Sequence, residues 1–383
     1  MSDTELVRDF REVDEDDFTD ASTSFPLNFK LKSAKNTGGL PVRHLSSFQS
    51  NQKKVCSLND KGSISIYDLN KLESDWSVNA KENLTGLQIH EENQVICSGE
   101  KSVKVWDTRQ GTKPVMEMRD TSDNGGKTSN YNCVAVNPSG LVVSGTEQIK
   151  FESFLVFWDL RQTGKLQGGY WETHCDDITS VRFRPGEDNI LATGCTDGMV
   201  NILDLSEKDE DEALVTSLNT GDSVSRLAWY TNTKGNTDNL AILTHTEAVQ
   251  LWHTPDCGPH TTLDRDLVCH GIRRTVSEYT YIAGLHQRSG GEEEAGLTLV
   301  AGSRCPSHTC VRLGQIRNKK VKPCSLLEGA PGVVTSSVFP APGLLVTGAE
   351  SGELTVFKEG EEEEENGGKI KSSKKHKSKE KPY

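Results

Sequence analysis

A short pattern that keeps returning is what most constrains this chain. VKVWDTR begins at Val103 and LVFWDLR at Leu155, and looser copies are SISIYDL at Ser63, VNILDLS at Val200, VQLWHTP at Val249 and LTVFKEG at Leu354. Each alternates apolar and polar residues with the period of a half-buried strand. The copies recur at roughly 40 to 55 residues, with one wider gap before the last, an interval that fits one small sheet per repeat. A sheet of that size cannot bury its own faces, so successive repeats must stack on one another.

A second strand-like run precedes each copy and closes on small residues: KVCSLND, QVICSGE, LVVSGTE, ILATGCTDG, LAILTHT and LLVTGAESG. A third lies upstream of most of these, as in LTGLQIH, YNCVAVNP, ITSVRFRP, VSRLAWY and VTSSVFP, and a fourth follows some of them, as in PVMEMRD and ALVTSLN. Three to four short antiparallel strands per unit predict the blades of a β-propeller. Six units are read directly. EYTYIAGLHQ, GLTLVAGS and TCVRLGQI add a seventh between Thr280 and Ile316, with an acidic loop at 290–296. The expected fold is therefore all-β, a seven-bladed propeller. The last unit lacks a fourth strand, whereas residues 25–33, FPLNFKLKS, alternate Leu27, Phe29 and Leu31. This segment is expected to close the ring as the outer strand of the last blade, covering an edge that would otherwise invite aggregation. The expected organisation is a disordered acidic tail over 1–24, the propeller over 25–358 and a disordered tail over 359–383, acidic and then basic.

Charge narrows the function classes. The 383 residues carry a net charge of −13, which argues against a folded body that wraps a phosphate backbone. Base is concentrated in KIKSSKKHKSKEK at the far end. No apolar run is long enough for a membrane span, and the N-terminus lacks the apolar stretch of a signal peptide. A cytoplasmic or nuclear location is expected. The ten cysteines form no Cys-x-x-Cys. Cys97 and Cys195 fall inside strand-like runs and read as small core side chains.

Trp106-Asp107 and Trp158-Asp159 are literal Trp-Asp dipeptides, with Tyr67-Asp68, Leu203-Asp204, Trp252-His253 and Phe357-Lys358 where degenerate copies would stand. With these, the chain resembles the WD-repeat family over most of residues 40–358. Its most specific stretches are GTEQIKFESFLVFWDLR and ITSVRFRPGEDNILATGCTDGMVNILDLS. The resemblance implies a buried hydrogen-bonded set of His, Ser or Thr, Asp and Trp within a blade. Carried over, the fourth blade offers His174, Thr193 and Asp197, but Leu203 stands at the Trp position. Blades two and three keep Trp106 and Trp158 and place Glu100 and Glu152 near the Asp position, without an obvious His.

Catalytic signatures are sparse. Neither Gly-x-Ser-x-Gly nor His-Glu-x-x-His occurs. NGGKTSN at 124–130 contains Gly-Lys-Thr, but Thr121 stands where a phosphate-binding loop needs glycine, and a strand follows instead of a helix. Cys305, His308 and Cys310 lack a fourth ligand and the usual pair spacing of structural zinc. No catalytic residue, cofactor or metal is assigned, and an enzyme is not expected.

Arg109 and Arg161 follow the two Trp-Asp dipeptides at equivalent strand ends, so the repeat sets both on one face of the disc. WD-repeat substrate receptors of cullin-RING ubiquitin ligases often carry Trp-Asp-x-Arg in two consecutive blades, with an acid about nine residues earlier. Glu100 and Glu152 hold that place here. The resemblance makes the arginines candidate docking contacts, and pairing with a neighbouring acid is the alternative. The expected function is a monomeric, non-enzymatic scaffold or adaptor that binds proteins. The alternatives are a ligase substrate receptor docking through both arginines, or a nuclear factor in RNP or ribosome assembly whose basic tail touches RNA or directs import.

Overall fold

The computed structural model describes residues 25, 27–48, 52–122, 130–162, 165–232, 235–288, 296–305 and 309–360. The tails over 1–24 and 361–383, the acidic loop up to residue 295, the Gly-Lys-Thr segment and His308 lie outside them. Seven four-stranded antiparallel sheets follow one another along the chain, at 42–79, 84–118, 131–174, 178–219, 224–263, 280–326 and 334–359. The first strand of each neighbours the first strands of the blades on either side, and together they surround a central channel.

The seventh blade takes its outer strand from the other end of the chain. Phe29–Asn36 pairs antiparallel with Glu353–Glu359, in a register running from Phe29 opposite Glu359 to Asn36 opposite Glu353. The closing strand thus begins four residues later than residues 25–33 suggest.

Burial explains which strands form and which were legible. The second strands, such as Gln94–Gly99 and Leu141–Thr146, are buried almost end to end, because a blade lies against each of their faces. Outer strands such as Ser74–Asn79 expose every second residue or more. Each gap between blades holds one apolar cluster. Near the end of each third strand one side chain fills that gap: Tyr67, Trp106, Trp158, Leu203, Trp252, Ile316 and Phe357, all buried. Trp158 packs on Val103, Val105 and Met118 of blade two and meets the Tyr131 ring edge-on, with centroids 5.5 Å apart. Burying a side chain of this kind contributes roughly 2–3 kcal/mol.

Hydroxyl latches add direction to the seams. Thr179 Oγ1 donates to the Val224 carbonyl at 2.7 Å. Thr85 makes the same bond to Tyr131, and Thr335 makes it to Val42 across the ring closure. In each case the second residue of a blade's first strand reaches the first residue of the next blade's. Arg43 takes this part in blade one, with Nη1 donating to the Leu84 carbonyl at 3.3 Å. The short helix Arg265–Gly271, capped by Asp264 accepting from the Leu267 amide, packs Val268 and Ile272 into the seam between blades five and six. The strand pattern alone does not foretell it.

Candidate functional site

Arg109 and Arg161 sit in the turns that leave two equivalent third strands, Val103–Asp107 and Ser153–Asp159. The two turns are near copies. Asp107 Oδ1 accepts from the Arg109 amide and Nε, both at 3.0 Å, and Oδ2 accepts from Nη2 at 2.7 Å. Asp159 holds Arg161 in the same way, at 2.9, 3.1 and 3.0 Å. Gln110 and Gln162 each donate to the same carboxylate. The Arg109 fork holds the Asp107 carboxyl down at about 2, and Arg161 lowers that of Asp159.

The geometry joins the two alternatives drawn from the sequence. Each arginine is paired with the acid two residues before it, yet its side chain is 67% exposed at Arg109 and 73% at Arg161. The carboxylates are buried, but with the guanidinium this exposed the ion pair itself adds little stability. Its effect is on position, because the aspartate takes Nε and Nη2 and sets the plane of the guanidinium in advance. Glu100 and Glu152 take no part in this. Glu152 lies at the opposite end of the strand Ser153–Asp159, and Glu100 bridges to Asn130.

His174 does not belong to the fourth blade. It ends the outer strand Lys165–His174 of blade three. Its Nε2 lies 2.8 Å from Thr193 Oγ1 on the second strand of blade four, pinning one blade to the next. Burial pushes the imidazole down to about 4, with Asp197 opposing. The ligating atoms of His174, Cys195 and Asp197 lie within 4.8 Å of one another, and Leu203 packs in the apolar seam. Asp197 also builds the adjacent turn, where its Oδ1 accepts from the Met199 amide at 2.8 Å. Gly198 there has φ +86°, and a Cβ would come 3.1 Å from the Asp222 carbonyl.

Cys97 and Cys195 are buried and unbridged. Cys305 is buried and Cys310 half-buried.

Two features escaped the sequence reading. Phe151 stands at the tip of a two-residue hairpin closed by paired bonds between Ile149 and Glu152, at 2.8 and 3.1 Å. Lys150 and Phe151 have φ of +56° and +68°, the left-handed region that such turns fill with Asn-Gly. For these residues it costs roughly 1–2 kcal/mol each. Phe151 is nevertheless 81% exposed. The available signal was a hairpin site, EQIKFES, with neither glycine nor asparagine. Phe151 and Arg161 flank opposite ends of one strand, so they mark opposite faces of the disc. The second feature is the central channel, a cavity of about 380 Å³ into which Arg182 and Arg226 project from the first strands of blades four and five.

No helix among the described residues is long and apolar enough to cross a membrane. The family described as WD domain, G-beta repeat, matches residues 165–204. An uncharacterized WD repeat-containing protein of Schizosaccharomyces pombe is 28% identical over 199 residues, 50% of this chain and 57% of that protein. The WD repeat-containing protein 89 homolog of Dictyostelium discoideum is 28% identical over 156 residues, 41% of this chain and 38% of its own length. WD repeat-containing protein GTS1 of Arabidopsis thaliana is 24% identical over 198 residues, 51% and 47% of the two chains. Each match thus spans less than two thirds of the relative. The matched repeat runs from the outer strand of blade three through the third strand of blade four. The chain is thus a closed ring of seven four-stranded sheets, a seven-bladed β-propeller, in which one repeat matches the WD-repeat family.

Proposed function

We propose that this chain is a non-enzymatic scaffold that holds proteins together, with a contact point on each face of the disc. The observation that carries this reading is Phe151. A bulky aromatic ring is left almost wholly in water, on a backbone conformation that costs stability, at the tip of a rigid hairpin. Exposed aromatic anchors on a fixed frame are the kind of residue that dominates protein interfaces. The hairpin is braced from below, since the Gln148 amide donates to Asp177 Oδ1 and its side chain to the Cys175 carbonyl, both at 2.7 Å. The test is proximity labelling in cells with the native chain and Phe151→Gly. Loss of a defined set of neighbours, with the ring still folded, is expected. An unchanged set would remove Phe151 from the reading.

A second reading is favoured by a separate observation. Arg109 and Arg161 are exposed, identically braced and one blade apart, which suits docking to the adaptor of a cullin-RING ligase. Affinity purification of the native chain would then recover that adaptor, and an Arg109→Ala, Arg161→Ala double variant would lose it. Its absence from both samples would leave the boxes as turn structure alone.

A further inference from the structure

The central channel is at odds with the charge of the molecule around it. The chain carries a net charge of −13, yet no aspartate or glutamate is among the described residues that line the channel. The lining holds Arg182, Arg226, His44 and His286, with serine and threonine hydroxyls between them. Neither arginine forms an ion pair among the described residues.

Arg226 is held rigidly. Its Nη1 donates to the Ala283 carbonyl at 2.8 Å and its Nη2 to the Thr335 carbonyl at 3.3 Å, so a side chain from blade five spans to blades six and seven. Among the described residues Arg182 is tied to its own neighbour, Nη1 donating to the Val181 carbonyl at 2.9 Å. The carboxylate whose field reaches Arg226 is Glu247, which does not line the channel and whose Oε2 accepts the Ile282 amide at 2.8 Å. Burial, and for Arg226 also the nearby Arg182, lowers both guanidinium pKa values. The same cations disfavour a proton on the histidines. Burial and Arg226 bring His286 to about 4, and burial, Arg226, Arg43 and Arg182 bring His44 to about 3. His286 instead shares a hydrogen bond with Ser337, Nε2 to Oγ at 2.8 Å.

Two like charges close together and largely out of water repel each other unless an anion sits between them. We infer that the central channel is an anion site, in which Arg182 and Arg226 bind the phosphate group of a small molecule. Guanidinium forks match phosphate oxygens two at a time, and a dianion answers two cations where a single carboxylate answers one. The cavity, at about 380 Å³, is of a size for a small ligand. The hydroxyls of Ser46 and Ser180 offer further donors around the same space, since Ser180 Oγ accepts from the Leu227 amide and keeps its own proton.

The test is calorimetric titration of the full chain with inorganic pyrophosphate, inorganic phosphate and glycerol phosphate, each paired with a thermal unfolding curve. Saturable one-site binding with a raised unfolding midpoint is expected for at least one of them. Arg182→Gln should weaken it by about tenfold or more. The exposed Lys61→Gln should leave it unchanged. Free phosphate or pyrophosphate binding as tightly as the ester identifies an inorganic ligand, and preference for the ester identifies an organic one. Arg226 spans three blades, so Arg226→Lys, which keeps the charge, serves as the second variant and should bind more weakly while remaining folded. Non-saturable binding, or equal losses in Arg182→Gln and Lys61→Gln, would overturn the proposal. So would binding of a phosphopeptide where all three small anions fail, which would make the channel mouth a peptide site.

Discussion

Blade three ends its third strand on Trp158, Asp159 and Arg161, and blade four ends the equivalent strand on Leu203, Asp204 and Ser206. In both, the aspartate makes the turn. Asp204 Oδ1 accepts from the Ser206 amide at 2.9 Å and from its hydroxyl at 2.6 Å, where Asp159 accepts from Arg161. Folding therefore asks for apolar volume at the first position and a carboxylate at the second, and leaves the fourth open. At the other end of the strand the contrast reverses. Blade four turns on Asp197-Gly198, which suits a left-handed backbone, and blade three turns on Lys150-Phe151, which does not. The blade with the easily formed turn is the plainer one, and the blade that departs from easy folding shows its unusual side chains to solvent.

The largest effect that bears on this comparison is at the seam. Trp158→Ala should cost about 3–5 kcal/mol and Leu203→Ala somewhat less, within roughly 2–5 kcal/mol. Urea unfolding of both variants measures it, and a smaller loss at Trp158 would mean the two seams are not equivalent. Next come the turns, where opposite signs are expected. Gly198→Ala should destabilise by roughly 1–2 kcal/mol, and Phe151→Gly should stabilise by up to about 1 kcal/mol. If both destabilise, Phe151 is held by packing and the strain argument fails.

The third effect is acid sensitivity at the junction of the two blades. His174 is held neutral by burial, with a folded value of about 4 against an ordinary 6.5. The unfolded chain binds the extra proton between these values, so stability is full above pH 6.5 and falls as pH drops toward 4. His174→Gln should flatten part of that slope, leaving the share due to His44 and His286. Asp107 acts lower. Its carboxyl is depressed from 3.8 to about 2, so its contribution is present above pH 3.8 and is lost as pH falls through 2. A slope unchanged in the His174 variant would place the acid sensitivity elsewhere in the ring. The smallest effect is Asp159→Asn, expected to change stability by less than about 1 kcal/mol because the asparagine Oδ1 can still accept from the Arg161 amide and the Arg161 side chain is exposed. It should still weaken any docking through Arg161, since the fork loses its brace. A binding assay alongside a melting curve separates the two.

Strands buried on both faces were the legible part of this fold. Runs such as QVICSGE and LVVSGTE can hardly be anything else, and their spacing reveals the ring. The outer strands were partly hidden, because one face meets water and Ser74–Asn79 or Thr261–Leu263 carry few apolar residues. His174 was set in the wrong blade for a related reason, since repeat and sheet are offset by one strand and sequence order cannot show it. The channel arginines were illegible. In ITSVRFRP and VSRLAWY an arginine among alternating residues reads as solvent-facing, and only ring closure turns that face inward. Phe151 was hidden because its exposure depends on a turn geometry that its own residue type disfavours.

The closure of the ring sets a timetable for its making. Phe29–Asn36 is made before every other strand of the ring, but its partner Glu353–Glu359 is made after all of them. At ordinary rates of synthesis the early strand waits on the order of tens of seconds before its hydrogen bonds can form. Leu31 and its neighbours are unpaired throughout that interval, and the first blade likewise lacks the Thr335 latch. A growing chain of this protein is therefore an open arc with two unpaired ends until the last blade arrives.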